Sequence, residues 1–402
     1  MHLSSRRGRK WKSPCNSKPQ PRRANTKATG RWSTARVSPS ARRISSSSWS
    51  SSFNNLTGLT QAVKDKARQL GFILAGVTSP EPPAHYDIFQ NWLDENHHGS
   101  MDYLASERSR SRRADPSLIL PGCESILILA LPYTSAEGRS RKAEYKIAGY
   151  ALGDDYHDII PPRLKEIVRF IEEQVGHPVP NRYYTDTGPV LERELAQRAG
   201  LGWIGKNSML INPQAGSTFL LAEIFLGISL ELDKPFSTDH CGTCARCMTA
   251  CPTDCILPDR TIDSRRCISY LTIENKGAIP EDFRNQTENW VFGCDICQQV
   301  CPWNRFSLPC DPALKPSIPL PALPADLTLT PTEFNRRFKR SPVKRAKRRG
   351  YLRNLAVAVG NVGDESDLPF LEEAAKDEEP LVREHAEWAM KQIERGGRAS
   401  SG

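Results

Sequence analysis

The sequence predicts an α+β chain of several domains: an α/β domain, a cysteine-rich module and a C-terminal helical repeat. Three observations carry this reading. Helix-like and strand-like segments alternate over residues 57–230. Cysteines in metal-type spacing crowd residues 241–301. Near the C-terminus, "LRNLAVAV" at 352–359 is echoed by "VREHAEWA" at 382–389.

The 402 residues are enough for two or three domains, and 38% hydrophobic residues supply a core. The net charge of +9 belongs to one end. Residues 1–58 hold thirteen Lys or Arg and no acid, which leaves 42 basic against 46 acidic residues in the remainder. Residues 1–54 are poor in apolar side chains and read as a disordered basic, Ser-rich tail. A transit peptide or a nucleic-acid arm would share that composition. The longest apolar run, "FLLAEIFLGISL", is broken by Glu223 and is shorter than the ~18 residues of a membrane span. No secretory signal with an apolar core precedes the twelve cysteines. The expectation is a soluble, cytoplasmic monomer that meets no membrane.

Residues 55–230 are read as the α/β domain. Leu59, Val63, Ala67 and Leu70 share one helical face, and Gly71 is placed to end that helix. "FILAGV" reads as a strand, "DIFQNWLDEN" as a helix and "SILILALPY" as a strand. Leu164, Ile167, Ile171 and Val175 form the stripe of a second long helix. A strand at "RYYTD", a helix over 188–199 and a strand at "TFLLAEIFLGIS" follow.

Residues 231–308 form the cysteine-rich module. Cys241, Cys244, Cys247 and Cys251 precede Pro252. Cys267 stands alone, and Cys294, Cys297 and Cys301 precede Pro302. A cubane cluster needs one thiolate per iron. Three ligands at two-residue gaps wrap three corners, and the cysteine before proline serves the other cluster, as in two-cluster ferredoxins. That rule gives one [4Fe–4S] cluster to Cys241, Cys244, Cys247 and Cys301, and a second to Cys251, Cys267, Cys294 and Cys297. Two structural zinc sites are the competing reading, but a third close cysteine and a repeated Cys-Pro ending suit clusters better. Cys15, Cys123, Cys255 and Cys310 are left as ordinary thiols. Two clusters in sequence carry single electrons, so the chain needs an electron donor, unidentified here, and an acceptor site.

A proline-dense linker spans 309–331, and a basic helical domain spans 332–396. Val382, Ala386, Ala389 and Ile393 form an apolar stripe, as in a HEAT-like repeat that buries its stripe by stacking. An ordinary helical hairpin is the alternative. Residues 336–353 contain ten Lys or Arg, with Phe338 and Tyr351 among them. A solvated charged face is the common fate of such a run. Its local concentration on an otherwise acidic body points instead to RNA.

No G-x-G-x-x-G follows a strand, and there is no P-loop. Several dispersed segments do carry a resemblance: "HGSMDYL" at 98–104, "RADPSLILPG" at 113–122 and "YALGDDYHD" at 150–158. They continue at 186–212 ("DTGPVLERELAQRAGLGWIGKNSMLIN"), 267–280 ("CISYLTIENKGAIP") and 293–306 ("GCDICQQVCPWNRF"). Over residues 57–395 the sequence resembles the epoxyqueuosine reductases. The resemblance implies a cobalamin-binding α/β domain fed by two [4Fe–4S] clusters. It implies reduction of epoxyqueuosine to queuosine in the anticodon loop of tRNA, with loss of the epoxide oxygen as water. It also implies that Asp186 is the proton donor. Capping of the 188–199 helix is the other reading of this residue. Arg113 matches a cofactor-contacting position, and Ser269, two residues after a cluster ligand, and Asp295, between two ligands, are expected to face the cofactor; a solvated arginine and two turn residues are the alternatives. Tyr156 and His157 lie in a shared motif without an assigned role. Lys206, Lys344, Arg345, Lys347, Arg348 and Arg349 are the candidate tRNA contacts. A cobalamin-dependent reductive dehalogenase shares the cofactor set, but no apolar export segment follows any Arg-Arg pair. A ferredoxin-type electron-transfer protein would not need the α/β domain or the basic helical tail, and an RNA-binding protein with structural clusters is a further alternative.

Overall fold

The computed structural model describes residues 46–133, 145–317 and 324–400, with side chains from 56 to 395. The basic tail 1–54 lies outside the described residues, except for the backbone from Ser46 onward. That backbone joins helix α1 (Ser46–Gln69), which starts earlier than expected because no Gly or Pro interrupts Ser46–Thr57. Val63 and Ala67 are buried, and Gly71 at φ +93° takes the chain out of the helix, a conformation a side chain resists.

Strand β1 (Leu74–Thr78) follows, then α2 (Tyr86–Asp94) and α3 (Glu107–Ala114). Strand β2 (Ser125–Pro132) pairs antiparallel with β1, from Leu74↔Ala130 to Thr78↔Ile126. Next come β3 (Lys146–Ile147), α4 (Tyr156–Val175), β4 (Asn181–Tyr184) and α5 (Glu192–Arg198). A small hairpin, β5 (Trp203–Ile204) and β6 (Leu210–Ile211), leads to β7 (Phe219–Leu226). The main sheet has the order β1-β2-β7-β4.

Every pairing in this sheet is antiparallel, which corrects the expected α/β layer to α+β. The physical reason lies in β2. All eight of its residues are buried, since α1 and α4 cover one face and α5 the other. Leu127, Leu129 and Leu131 point to the first core, Ile126, Ile128 and Ala130 to the second. Continuous apolar strands are the usual mark of parallel sheets buried on both sides. Two-sided burial produces the same run whichever way the neighbours point.

The cysteine-rich part carries α6 (Arg246–Ala250), α7 (Ile268–Ile273), α8 (Glu281–Arg284), β8 (Trp290–Phe292) and α9 (Ile296–Gln299). Strand β8 pairs with β3. Helices α10 (Pro331–Arg337), α11 (Lys347–Val362), α12 (Leu368–Ala374) and α13 (Pro380–Ser400) close the chain. A single apolar core joins Tyr145, Ile147, Val291 and Phe292 to α11 and α13. The stripe Val382, Ala386, Ala389 and Ile393 is buried in it. Gly360 lets the two helices approach: a Cβ there would meet Ala389 Cα at 2.8 Å. The described parts of the proline-dense stretch are packed. Leu314 and Leu327 are buried, and Asp311 accepts two hydrogen bonds from the Arg163 guanidinium at 2.7 and 2.8 Å.

Candidate active site

Strand β4 ends at Tyr184, and Thr185 is pinned by its hydroxyl to the Leu221 carbonyl at 2.8 Å. Asp186 then takes φ +60°, the left-handed region that non-glycine residues avoid. The turn throws its carboxylate outward, with 58% of the side chain exposed. Helix α5 starts only at Glu192, after Leu191, so Asp186 does not cap it.

Asp155 caps α4 by accepting the His157 amide, and the same oxygen contacts His157 Nδ1 at 2.8 Å. This fixes the first turn of α4 against Asp186. The Tyr156 hydroxyl donates to Asp186 Oδ2 at 2.8 Å, and His157 Nε2 lies 3.8 Å from the same oxygen. Burial, then the Asp186 charge, push the Tyr156 hydroxyl far up, so it stays a donor. The Asp155 hydrogen bond raises His157 against the opposing effect of burial. His157 Nε2 is buried with no hydrogen-bond partner, a polar atom left for something that binds here.

Sequence reasoning missed two carboxylates beneath this turn. Glu223 on β7 is fully buried, and neither of its oxygens has a partner. Burial, then Glu192 and Asp186, hold it well above the carboxylate range. Glu192 is pushed up to about 7 by burial first and Asp186 second. A Cβ on Gly188 would stand 2.7 Å from Glu223 Oε1, so only glycine lets the turn close over it. The available signal was the one acid in an otherwise apolar strand.

Arg113 ends α3 with its guanidinium 5.5 Å from the Phe89 ring and hydrogen-bonded to the Ser109 hydroxyl. The exposed Tyr103 has Glu274, Arg345, Asp186 and Arg113 as its charged neighbours. Residues far apart in sequence thus rim one open region. Tyr270 ties that rim to the cysteine module by accepting the Ser100 amide at 2.7 Å. Ser269 lies in the first turn of α7, two residues after Cys267. Asp295 does not face the open region: it is buried, and its Oδ2 accepts the Gly149 amide at 2.6 Å. Burial raises it to about 6, opposed by that amide. It fastens the cysteine loop to the segment that carries Tyr150 and Tyr156, whose rings are 6.1 Å apart.

The cysteines fall into two neighbouring groups. Cys301 interacts with Cys241 and Cys244, and Cys247 with Cys241 and Cys301. Cys297 interacts with Cys267 and Cys251, and Cys294 with Cys297 and Cys267. Cys247 also reaches Cys297, so the groups adjoin. Among the described residues no three His, Cys, Asp or Glu gather as around one ion. A cubane spreads four thiolates over four irons, and this donor set fits it. Cys255, read as an ordinary thiol, is buried with its sulfur 3.4 Å from that of Cys251. Cys15 lies outside the described residues.

The basic residues divide. Lys206 does not project to solvent as a phosphate contact: its ammonium donates to the Gly242 and Cys244 carbonyls at 2.8 and 2.9 Å. Arg348 is an internal residue, paired with Asp377 and donating to the Leu329 carbonyl. Arg345 pairs with Glu274. Lys344, Lys347 and Arg349 are exposed. Phe338 and Tyr351 are buried in the helical core and offer no ring to a base.

Two families match. Residues 240–304 match the 4Fe-4S double cluster binding domain, and residues 113–187 match Epoxyqueuosine reductase QueG, DUF1730. The epoxyqueuosine reductase of Cyclobacterium marinum is 46% identical over 304 residues, which cover 74% of this chain and 95% of that one. Those of Pseudomonas aeruginosa and Escherichia coli are 41% and 40% identical, covering 83% and 85% of this chain and 94% and 91% of theirs. A crystal structure of epoxyqueuosine reductase with an epoxyqueuosine-modified tRNA-Tyr stem loop superposes with a TM-score of 0.77. It is 31% identical and covers 84% of this chain and 90% of that one. The chain belongs to the epoxyqueuosine reductase family.

Proposed function

We infer that this chain reduces epoxyqueuosine to queuosine in the anticodon loop of tRNA, with two [4Fe–4S] clusters and cobalamin as its cofactors. The observation that carries the reading to the residue level is Asp186. It is an exposed carboxylate on a strained turn, oriented by Tyr156 and His157 and tied through Gly149 and Asp295 to the cysteine loops.

Reduction of the epoxide to an alkene takes two electrons and two protons and releases water. When bound, cobalamin would supply the reducing metal for this chemistry, and the two clusters would supply it with single electrons. Asp186 holds the proton that meets the departing oxygen. Its Oδ2 is occupied by the Tyr156 hydroxyl, which leaves Oδ1 to carry that proton. His157, charged more readily because of Asp155, stands on the Oδ2 side with Tyr156 and helps hold the carboxyl group in this orientation. Arg113 and Ser269 stand at the rim as cofactor contacts. Asp295 acts one step back, by holding the Gly149 segment. Cys241, Cys244, Cys247 and Cys301 ligate one cluster; Cys251, Cys267, Cys294 and Cys297 ligate the other.

Lys344, Lys347 and Arg349 meet tRNA phosphates at the start of α11, with Arg345 nearer Asp186. The helices α11 to α13 serve as a HEAT-like platform for this contact. No helix of the described residues is long and apolar enough to cross a membrane. The enzyme works in the cytoplasm as a monomer. The test is anaerobic incubation of the loaded protein and a strong reductant with epoxyqueuosine-containing tRNA, followed by digestion and mass analysis. Loss of one oxygen is expected, and Asp186→Asn abolishes it with iron content and cobalamin binding intact. If the variant still removes the oxygen, another group is the donor.

A further inference from the structure

Electrons must reach the first cysteine group from outside the chain. The face beside that group has a distinct composition. A cleft of about 870 Å³ lies between α6 and the turn Pro302–Phe306, lined by Arg246, Thr249, Cys301 and Arg305. Arg246 and Arg305 are both exposed, and among the described residues no carboxylate pairs with either. The Arg305 guanidinium lies 4.6 Å from the ring of Phe306. Phe306 is 38% and Leu308 40% exposed, two of the few large apolar side chains left open to solvent.

The two segments that build this face contain no acid: residues 240–253 and 296–310 hold neither Asp nor Glu. The acids that bound them are mostly spent internally. Asp239 pairs with Arg260, Asp295 holds Gly149 and Asp311 holds Arg163. Asp254 lies past Cys251, the corner that belongs to the other cluster. The face therefore presents two unneutralised guanidinium groups flanking Cys301, with the exposed Phe306 beside Arg305 and the exposed Leu308 two residues on. The other cysteine group is the one tied, through Asp295, to the Gly149 segment that leads to Tyr156.

We propose that this face is the electron entry port, and that a small acidic one-electron carrier protein of the flavodoxin kind docks on Arg246 and Arg305, with the exposed Phe306 and Leu308 as its apolar contacts. The proposal rests on the cluster ligation argued above. Contacts of this type are small and short-lived, and charge complementarity sets their rate of formation. Arginine suits the task because its planar charge is weakly hydrated and pairs with carboxylates in a fork.

The test uses the full chain loaded with its cofactors and kept free of oxygen. Photoreduced flavodoxin is mixed with it and the bleaching of cluster absorbance is followed. Methyl viologen radical, which needs no docking face, is the parallel reductant. The double variant R246E/R305E is expected to slow bleaching by flavodoxin at least about tenfold and to remove its salt dependence. Bleaching by the viologen should stay within about twofold of the parent, and titration with oxidised flavodoxin should show binding lost. Equal rates with flavodoxin in parent and variant overturn the proposal. So does an equal slowing with both reductants, because the arginines then support the cluster and not a partner. So does weakened tRNA binding with unchanged flavodoxin reduction, which makes the face an RNA surface. If the viologen fails to bleach the parent protein, the cluster reading itself falls.

Discussion

The basic stretch at the start of α11 gives a quantitative prediction, because the structure separates its free charges from its spent ones. Lys344, Lys347 and Arg349 are exposed. Arg348 is 15% exposed and faces Asp377, itself 7% exposed. Each Lys or Arg that neutralises a phosphate releases counterions and contributes roughly 0.7–0.9 to the slope of log affinity against log salt. Replacing Lys344, Lys347 and Arg349 by Gln should therefore flatten that slope by about 2 to 3. Melting temperature and iron content should hardly move, since these side chains touch no core. Arg348→Gln should do the reverse. It leaves Asp377 buried without its partner, at a cost of about 3–5 kcal/mol, and takes no phosphate contact away. The assay is fluorescence anisotropy of an anticodon stem loop titrated at several salt concentrations, beside thermal melting of each variant. An unchanged slope in the triple variant refutes the reasoning. So does an Arg348→Gln protein that melts like the parent yet flattens the slope.

Further predictions concern the site and the helical part. Tyr156→Phe removes the donor that orients Asp186, a hydrogen bond to a charged group worth about 1.5–3 kcal/mol. Oxygen removal should slow roughly tenfold to hundredfold with iron content intact, and an unaltered rate would show that Tyr156 does not position the carboxylate. Glu192, raised from 4.5 to about 7, stabilises the fold fully below about pH 4.5 and loses that contribution as pH rises through about 7. Up to about 3 kcal/mol is involved. The fall in melting temperature between about pH 5 and about pH 8 should shrink in Glu192→Gln. Identical profiles would mean that the raised proton affinity is absent. Gly360→Leu should drive α11 from α13, where a Cβ already meets Ala389 Cα and Trp388 Cζ3 at 2.8 Å. A loss of about 1–3 kcal/mol is expected, read as a lower melting temperature, and an unshifted melt refutes the close approach.

What could be read from the sequence was what chain-local spacing encodes. The stripes of α1, α4 and α13 and the close-spaced runs Cys241–Cys251 and Cys294–Cys301 needed only periodicities of a few residues. What could not be read depended on partners remote in the chain. Arg348 and Lys206 look alike as charges in loops and runs. Asp377 lies 29 residues from the first, and the carbonyls of Gly242 and Cys244 lie 36 and 38 residues from the second. Arg353 is the extreme case: fully buried in the same basic run, it donates to the carbonyls of Leu271, Asn275 and Gly277. Phe338 and Tyr351 misled for the same reason, since an aromatic ring among cations signals a base-stacking platform only if its face is open. The buried carboxylates follow the opposite logic. Glu223 has no partner at all, so its expense to the fold has no structural return within the described residues. A protein keeps such a group where it shapes the charge of a working site. Glu223 stands under the Asp186 turn, behind a glycine that no other residue could replace without pushing the turn away. The place where the strand departs from its apolar pattern lies directly beneath the turn that carries Asp186.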